Sequence, residues 1–135
     1  MATWDDVAAI AMALPEVAES TSYGDRDWKV RKKTFAWHRP LREKERERLE
    51  GELDDVPPDE EIVAVRVPDE VAKLALLESE PRIYFTTPHF DGHSSVLVRL
   101  DRIGRADLEE AIVEAWLSQA PKRLAAACLA ERDAG

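Results

Sequence analysis

Cysteine is almost absent from this 135-residue chain: Cys128 stands alone, so no intramolecular disulfide can staple the fold. It lies four residues after Leu124 in a stretch of helical spacing and reads as a small core residue rather than a reactive thiol. The internal glycines, Gly24, Gly51, Gly92 and Gly104, are scattered, which excludes a glycine-rich loop that cradles phosphates. No apolar run approaches the roughly 18 residues needed to cross a bilayer. The N-terminus, MATWDDVAAIAMALPEV, carries acids where a secretory signal would carry Lys or Arg, so no membrane association is expected and the chain is expected to stay in the cytoplasm. Positive charge is in deficit: 19 Lys and Arg face 28 Asp and Glu, a net charge of −9. That balance opposes nonspecific attraction to nucleic acid, which is driven by cations that release the counterions of phosphates. Any nucleic-acid role therefore needs a local basic patch.

What is present suits one folded unit. At this length a domain buries somewhat over ~60% of the surface of its unfolded chain, and four Trp, three Phe and two Tyr supply bulk for one core, so residues 1–135 are read as a single domain; the sequence does not fix its oligomeric state, for which a monomer is favoured. Thr3 can cap a first helix, with Asp5 and Asp6 in its opening turn and Trp4, Val7, Ala8, Ala11 and Leu14 at helical spacing; Pro15 stops it. Residues 19–24 read as a first strand. The alternating runs at 28–30 and 34–38 then form a hairpin around Arg31, Lys32 and Lys33. Residues 40–61 are intensely charged and are expected to form a short solvated helix, anchored by Leu41, Leu49 and Leu53, and then a loop through Pro57 and Pro58.

The run IVAVRV at 62–67 is the strongest strand signal and is expected to be central, with Val63, Val65 and Val67 on one face. Pro68 suits the first turn of a helix containing Val71, Leu74 and Ala75, and strands follow at 83–86 and 96–100. Asp107 is the expected N-cap of a helix whose stripe is Leu108, Ala111, Ile112, Ala115 and Trp116, and Pro121 opens a terminal helix holding Leu124, Cys128 and Leu129. This order implies an α+β fold, an antiparallel sheet covered by helices on one side.

Three stretches, TSYGDRDWKVRKKTFAW, YFTTPHFDGHSSVLVRL and EAWLSQAPKRLAA, resemble the signature segments of the MmcQ/YjbR family. The matching residues are Ser22, Tyr23, Gly24, Trp28, Lys29, Phe35, Thr87, Pro88, His89, Phe90, Asp91, Gly92, Trp116, Pro121, Lys122 and Arg123. The resemblance implies a YjbR-like two-layer sandwich, similar to the CyaY (frataxin-like) arrangement. It also implies a DNA-binding role through a proposed double-wing motif, although a fold does not by itself fix a function. Two features depart from the family pattern: His93 follows the Asp-Gly pair in place of an aromatic, and the charged stretch at 42–52 is longer.

Two functional constellations stand out. Lys29, Arg31, Lys32 and Lys33 beside Trp28 can pair with phosphates and stack a base, and Lys122 and Arg123 extend that patch if the terminal helix lies beside the hairpin. The plainer alternatives are a solvated turn whose lysines discourage edge pairing, and two cations that complement the end of the preceding helix. The second constellation is a ligand pocket around Tyr23, Trp28, Thr87, His89 and Asp91, in which His89 and Asp91 would handle protons. Against it, an Asp-Gly turn needs only local side-chain bonds to backbone, and no nucleophile or oxyanion donor is legible. No catalytic residue is assigned, so an enzyme is less expected than a binding module for DNA, with a small-ligand protein, an enzyme and a protein-interaction adaptor as alternatives. His89, Asp91 and His93 do not match a zinc spacing, and the acids Asp54, Asp55, Asp59, Glu60 and Glu61 read as a solubilised loop. No metal or cofactor is expected.

Overall fold

A computed structural model describes residues 1–22, 24–53 and 55–134. Its first element is set by local chemistry. Thr3 Oγ1 accepts the Asp6 N–H at 3.2 Å and Asp6 accepts the Thr3 N–H at 3.0 Å, a capping box that starts α1 (Trp4–Met12). The chain then forms β1 (Val17–Ser22), β2 (Asp25–Val30) and β3 (Lys33–His38), followed by α2 (Glu43–Glu52) and a 3-10 turn at Asp59–Glu61. β4 (Ile62–Arg66), α3 (Glu70–Ser79), β5 (Tyr84–Phe85), a 3-10 turn at Pro88–Phe90, β6 (Ser95–Arg99), α4 (Arg105–Gln119) and α5 (Lys122–Ala134) complete it. The six strands form one sheet in the order β1-β2-β3-β4-β6-β5, every neighbouring pair antiparallel, with β4 inside it as its apolar run requires.

The main core lies on one face. Trp28, Val30, Phe35, Ala36, Val63, Val65, Val96 and Val98 meet Val7 and Ala11 of α1 and Leu108, Ile112 and Trp116 of α4 there. The opposite face is covered at one end as well: Ile62, Ala64, Phe85 and Leu97 pack with Leu41, Phe90 and Leu49 of α2. This second cluster explains why β4 is apolar at four consecutive positions instead of alternating, since a strand covered on both faces needs no polar side.

β2 and β3 do not pair in uniform register. Trp28 faces Ala36 and Lys29 faces Thr34, which leaves Phe35 as the extra residue of a β-bulge. Phe35 and Ala36 both enter the main core, so Thr34 and Trp37, three positions apart, come to share the other face. Regular alternation would have put those two on opposite sides.

Three boundary or face expectations are corrected. Gly104, not Asp107, is the N-cap of α4, because the first intrahelical bond runs from the Leu108 N–H to the Gly104 carbonyl at 2.9 Å; Asp107 sits in the first turn, where it still complements the dipole. Pro68 precedes α3 instead of opening it, and Asp69 caps that helix by accepting the Ala72 N–H at 2.8 Å. The side of α3 bearing Val71, Leu74 and Ala75 is turned outward, and the residue it buries is Lys73, which is 2% exposed. No helix among the described residues is long and apolar enough to cross a membrane.

Candidate functional site

On the sheet face opposite the main core, beyond the edge of the second cluster, β2, β3 and β4 leave an open groove of about 610 Å³. Strand residues Asp27, Thr34, Trp37 and Arg66 line it together with Asp25, Arg26 and His38, and the segment that leaves β3 contributes Arg39, Pro40 and Arg42. A concave site of this volume lies within the usual range for small-molecule pockets.

Most ionisable groups of the groove are already engaged. Arg26 reaches Glu19 at 2.9 Å and lies over the Trp28 ring, and His38 places Nδ1 3.2 Å from Asp25 while its Nε2 meets the Asp59 carbonyl at 2.9 Å. Arg39 forks onto Glu45 with two bonds of 3.0 Å and covers the Phe90 ring at 5.2 Å. Burial of Glu45 works against its charge, but the Arg39 fork, the Arg42 N–H and the Thr87 hydroxyl outweigh it and hold the carboxyl below its ordinary range. Asp27, 4% exposed, accepts the Ser20 hydroxyl.

Arg66 differs from its neighbours. Its Nε is shielded from solvent with no acceptor, its Nη1 has only Ser95 Oγ at 3.5 Å, and no carboxylate among the described residues pairs with it. The Arg42 guanidinium, on the exposed rim, likewise has no ion-pair partner among the described residues, although the Arg42 backbone N–H donates to Glu45 at 2.8 Å.

The residues singled out from sequence fall elsewhere. Tyr23 lies outside the described residues, as does Asp54. Trp28 is fully buried in the main core, with its Nε1 donating to Glu19 at 3.0 Å, on the far side of the sheet from the groove. Thr87 and Asp91 line a smaller cavity of about 160 Å³ against α2, where Thr87 donates to Glu45 at 2.9 Å. His89 is exposed and stacks on His93 at 6.0 Å, and no hydrogen bond or ion pair joins it to Asp91. Of the four proposed pocket residues that are described, Thr87 and Asp91 line a common cavity, and Trp28 and His89 do not line it. Among the described residues no three His, Cys, Asp or Glu side chains are grouped to hold a metal ion.

The basic residues keep more of their expected geometry. Arg31 and Lys32 are the two-residue turn between β2 and β3, Lys33 begins β3, and Lys32 and Lys33 are exposed. Lys29 is half-buried in β2. Arg31 is forked onto Glu16 by two bonds of 2.9 Å, an ion pair that lowers the Glu16 pKa and raises that of Arg31. Lys122 and Arg123, both exposed, open α5. Trp116 Nε1 near the end of α4 donates to the Pro15 carbonyl at 3.1 Å, next to Glu16, so the start of α5 and the hairpin tip share one end of the molecule.

Sequence reading missed the groove residues Asp27, Thr34, Trp37, Arg39, Arg42 and Arg66. One signal was available: Arg66 continues the second face of β4 after Ile62 and Ala64, so an arginine follows two residues of an apolar stripe.

A model of the YjbR family matches residues 12–118. The chain belongs to the YjbR family. Uncharacterized protein Rv2570 of Mycobacterium tuberculosis and uncharacterized protein Mb2600 of Mycobacterium bovis are each 55% identical to it over 130 residues, covering 96% of this chain and 98% of their own. Deinococcus radiodurans protein DR2400, a solved structure of a DUF419 domain, matches with a TM-score of 0.61 at 18% identity, over 87% of this chain and 78% of that one, which shows a common fold. The part matched by the YjbR model contains every groove residue, whereas Lys122 and Arg123 lie beyond it.

Proposed function

We propose that this YjbR-family protein is a binding module for a small organic molecule, with the groove across β2, β3 and β4 as its site. The observation that carries the reading is Arg66, a guanidinium lining a concave surface with a shielded Nε and no ion-pair partner among the described residues. A guanidinium without an ion-pair partner in a concave surface can make charge-assisted hydrogen bonds to the oxygens of a ligand, the stronger kind a side chain makes. The engagement of Arg26, His38, Arg39 and Asp25 in internal pairs suits holding a ligand better than cycling protons.

The test is a fragment screen followed by amide chemical-shift mapping on labelled protein. Saturable shifts at Asp27, Thr34, Trp37 and Arg66, weakened by Arg66→Gln, are the expected result. A screen whose hits all map elsewhere, or none at all, rejects the groove.

DNA contact at the basic end is a second reading, favoured by the exposure of Lys32 and Lys33 at the same end as Lys122 and Arg123. The bidentate engagement of Arg31 by Glu16 and the net charge of −9 weigh against it. Fluorescence anisotropy with labelled duplex and single strands over a salt series decides the point. Binding that weakens with salt and disappears in a Lys32→Glu, Lys33→Glu variant supports the basic end; an absence of binding at 20 mM salt, roughly the regime where the Debye length exceeds 20 Å, removes it.

A further inference from the structure

We infer that the groove takes a planar aromatic molecule bearing a carboxylate or phosphate group, with the oxyanion at Arg66 and Arg42 and the ring against Trp37. This rests on the groove being the binding site and adds the chemical class of its occupant.

The lining sets four arginines against two aspartates. Arg26 is answered by Glu19, Arg39 by Glu45 and Asp25 by His38, while Asp27 is held by the Ser20 hydroxyl. Arg42 and Arg66 are left as lining guanidinium groups without an ion-pair partner among the described residues. Guanidinium presents its N–H groups in a planar fork that fits two oxygens of a carboxylate or phosphate, and such charge-assisted bonds are the strongest a side chain makes.

Trp37 supplies the second half of the recognition. It is half-exposed, lines the groove, and packs on the second cluster with its ring centroid 6.5 Å from that of Phe90. A ring held from behind by packing is a preorganised platform for another flat ring. Thr34 and Asp27, on the same wall, can meet polar edges of the ligand.

The experiment titrates the labelled full chain with benzoate, phenyl phosphate, inorganic phosphate and benzamidine, following amide shifts and Trp fluorescence. Benzoate or phenyl phosphate is expected to bind saturably with shifts at Thr34, Trp37 and Arg66, and the tighter of the two identifies the oxyanion. Inorganic phosphate should bind at least about tenfold more weakly than phenyl phosphate, and Arg66→Gln should weaken the preferred anion by about tenfold or more. Arg42→Gln, on the exposed rim, should weaken it in the same direction and serves if the Arg66 variant does not fold. Benzamidine binding in the groove without a response to either anion overturns the charge assignment while leaving the groove a binding site. Equal affinity for inorganic and phenyl phosphate overturns the aromatic half. No groove shift with any of the four probes overturns the assignment, and the fragment screen then decides separately whether the groove binds anything.

Discussion

At the tip of the β2–β3 hairpin, Arg31 and Lys32 adopt φ of 44° and 73°, the left-handed region required at both central residues of a two-residue hairpin turn. Side chains with a Cβ pay for that conformation, at about 1–2 kcal/mol per residue, and Asn or Gly would be the usual occupants. Lys32 makes no ion pair among the described residues, whereas Arg31 holds Glu16, which also has a positive φ of 56°. Lys32→Gly is therefore expected to raise stability by about 0.5–1 kcal/mol after the entropy of a freer unfolded chain is deducted, visible as a higher urea midpoint. A fall in the midpoint would mean that Lys32 makes a stabilising contact worth more than its backbone strain. The hairpin itself was legible from the alternation on either side of the basic run. Its turn type was not, because neither residue advertises a positive φ.

Elements show more clearly where sequence reading stops. The strand positions, the caps at Thr3 and the stripe of α4 follow from local rules and came out close to their observed places. α3 did not reveal its buried side, because Val71, Ala72, Leu74, Ala75, Leu76 and Leu77 put apolar residues around most of its circumference and periodicity selects no face. The face is chosen by a distant partner. Lys73 Nζ donates to the Phe90 carbonyl at 2.6 Å and the His93 carbonyl at 2.9 Å, tying α3 to the loop before β6. Replacing it by Met preserves volume but leaves those two carbonyls without their donor, so Lys73→Met should cost about 1–3 kcal/mol. Hydrogen exchange should quicken first in the 87–93 segment; unchanged protection there would mean the loop is held by Phe90 packing alone. The groove was illegible for a related reason. Its floor combines residues from three strands, and deciding that Thr34 and Trp37 share a face requires knowing the register of β2 against β3.

Across the whole molecule, the acidic balance reaches into one corner of the core. Tyr84 on β5 is 6% exposed, and burial, reinforced by Asp107, Glu110 and Glu80, pushes its pKa up from 10.0 to about 12. Above pH 10 the unfolded chain ionises this tyrosine while the folded protein keeps it neutral, so the folded state loses ground as pH rises toward 12. Thermal melts between pH 9 and 12 should show an alkaline decline of about 2–3 kcal/mol at most, and Tyr84→Phe should flatten it. An unchanged decline in that variant would assign it to other groups. The overall architecture was readable because order and patterning of elements fix layers; the distribution of charge over the finished surface was not, since pairs such as Arg39 with Glu45 or Arg31 with Glu16 form only once the chain is folded.

The single extra residue at Phe35 acts as a phase shift written into the chain. Everything after it on β3 is assigned to inside or outside by that one count, so losing a residue there would exchange the wall of the groove for a piece of the core. Among related proteins of this fold, a gap at that position would mark not a trimmed loop but a different sheet surface.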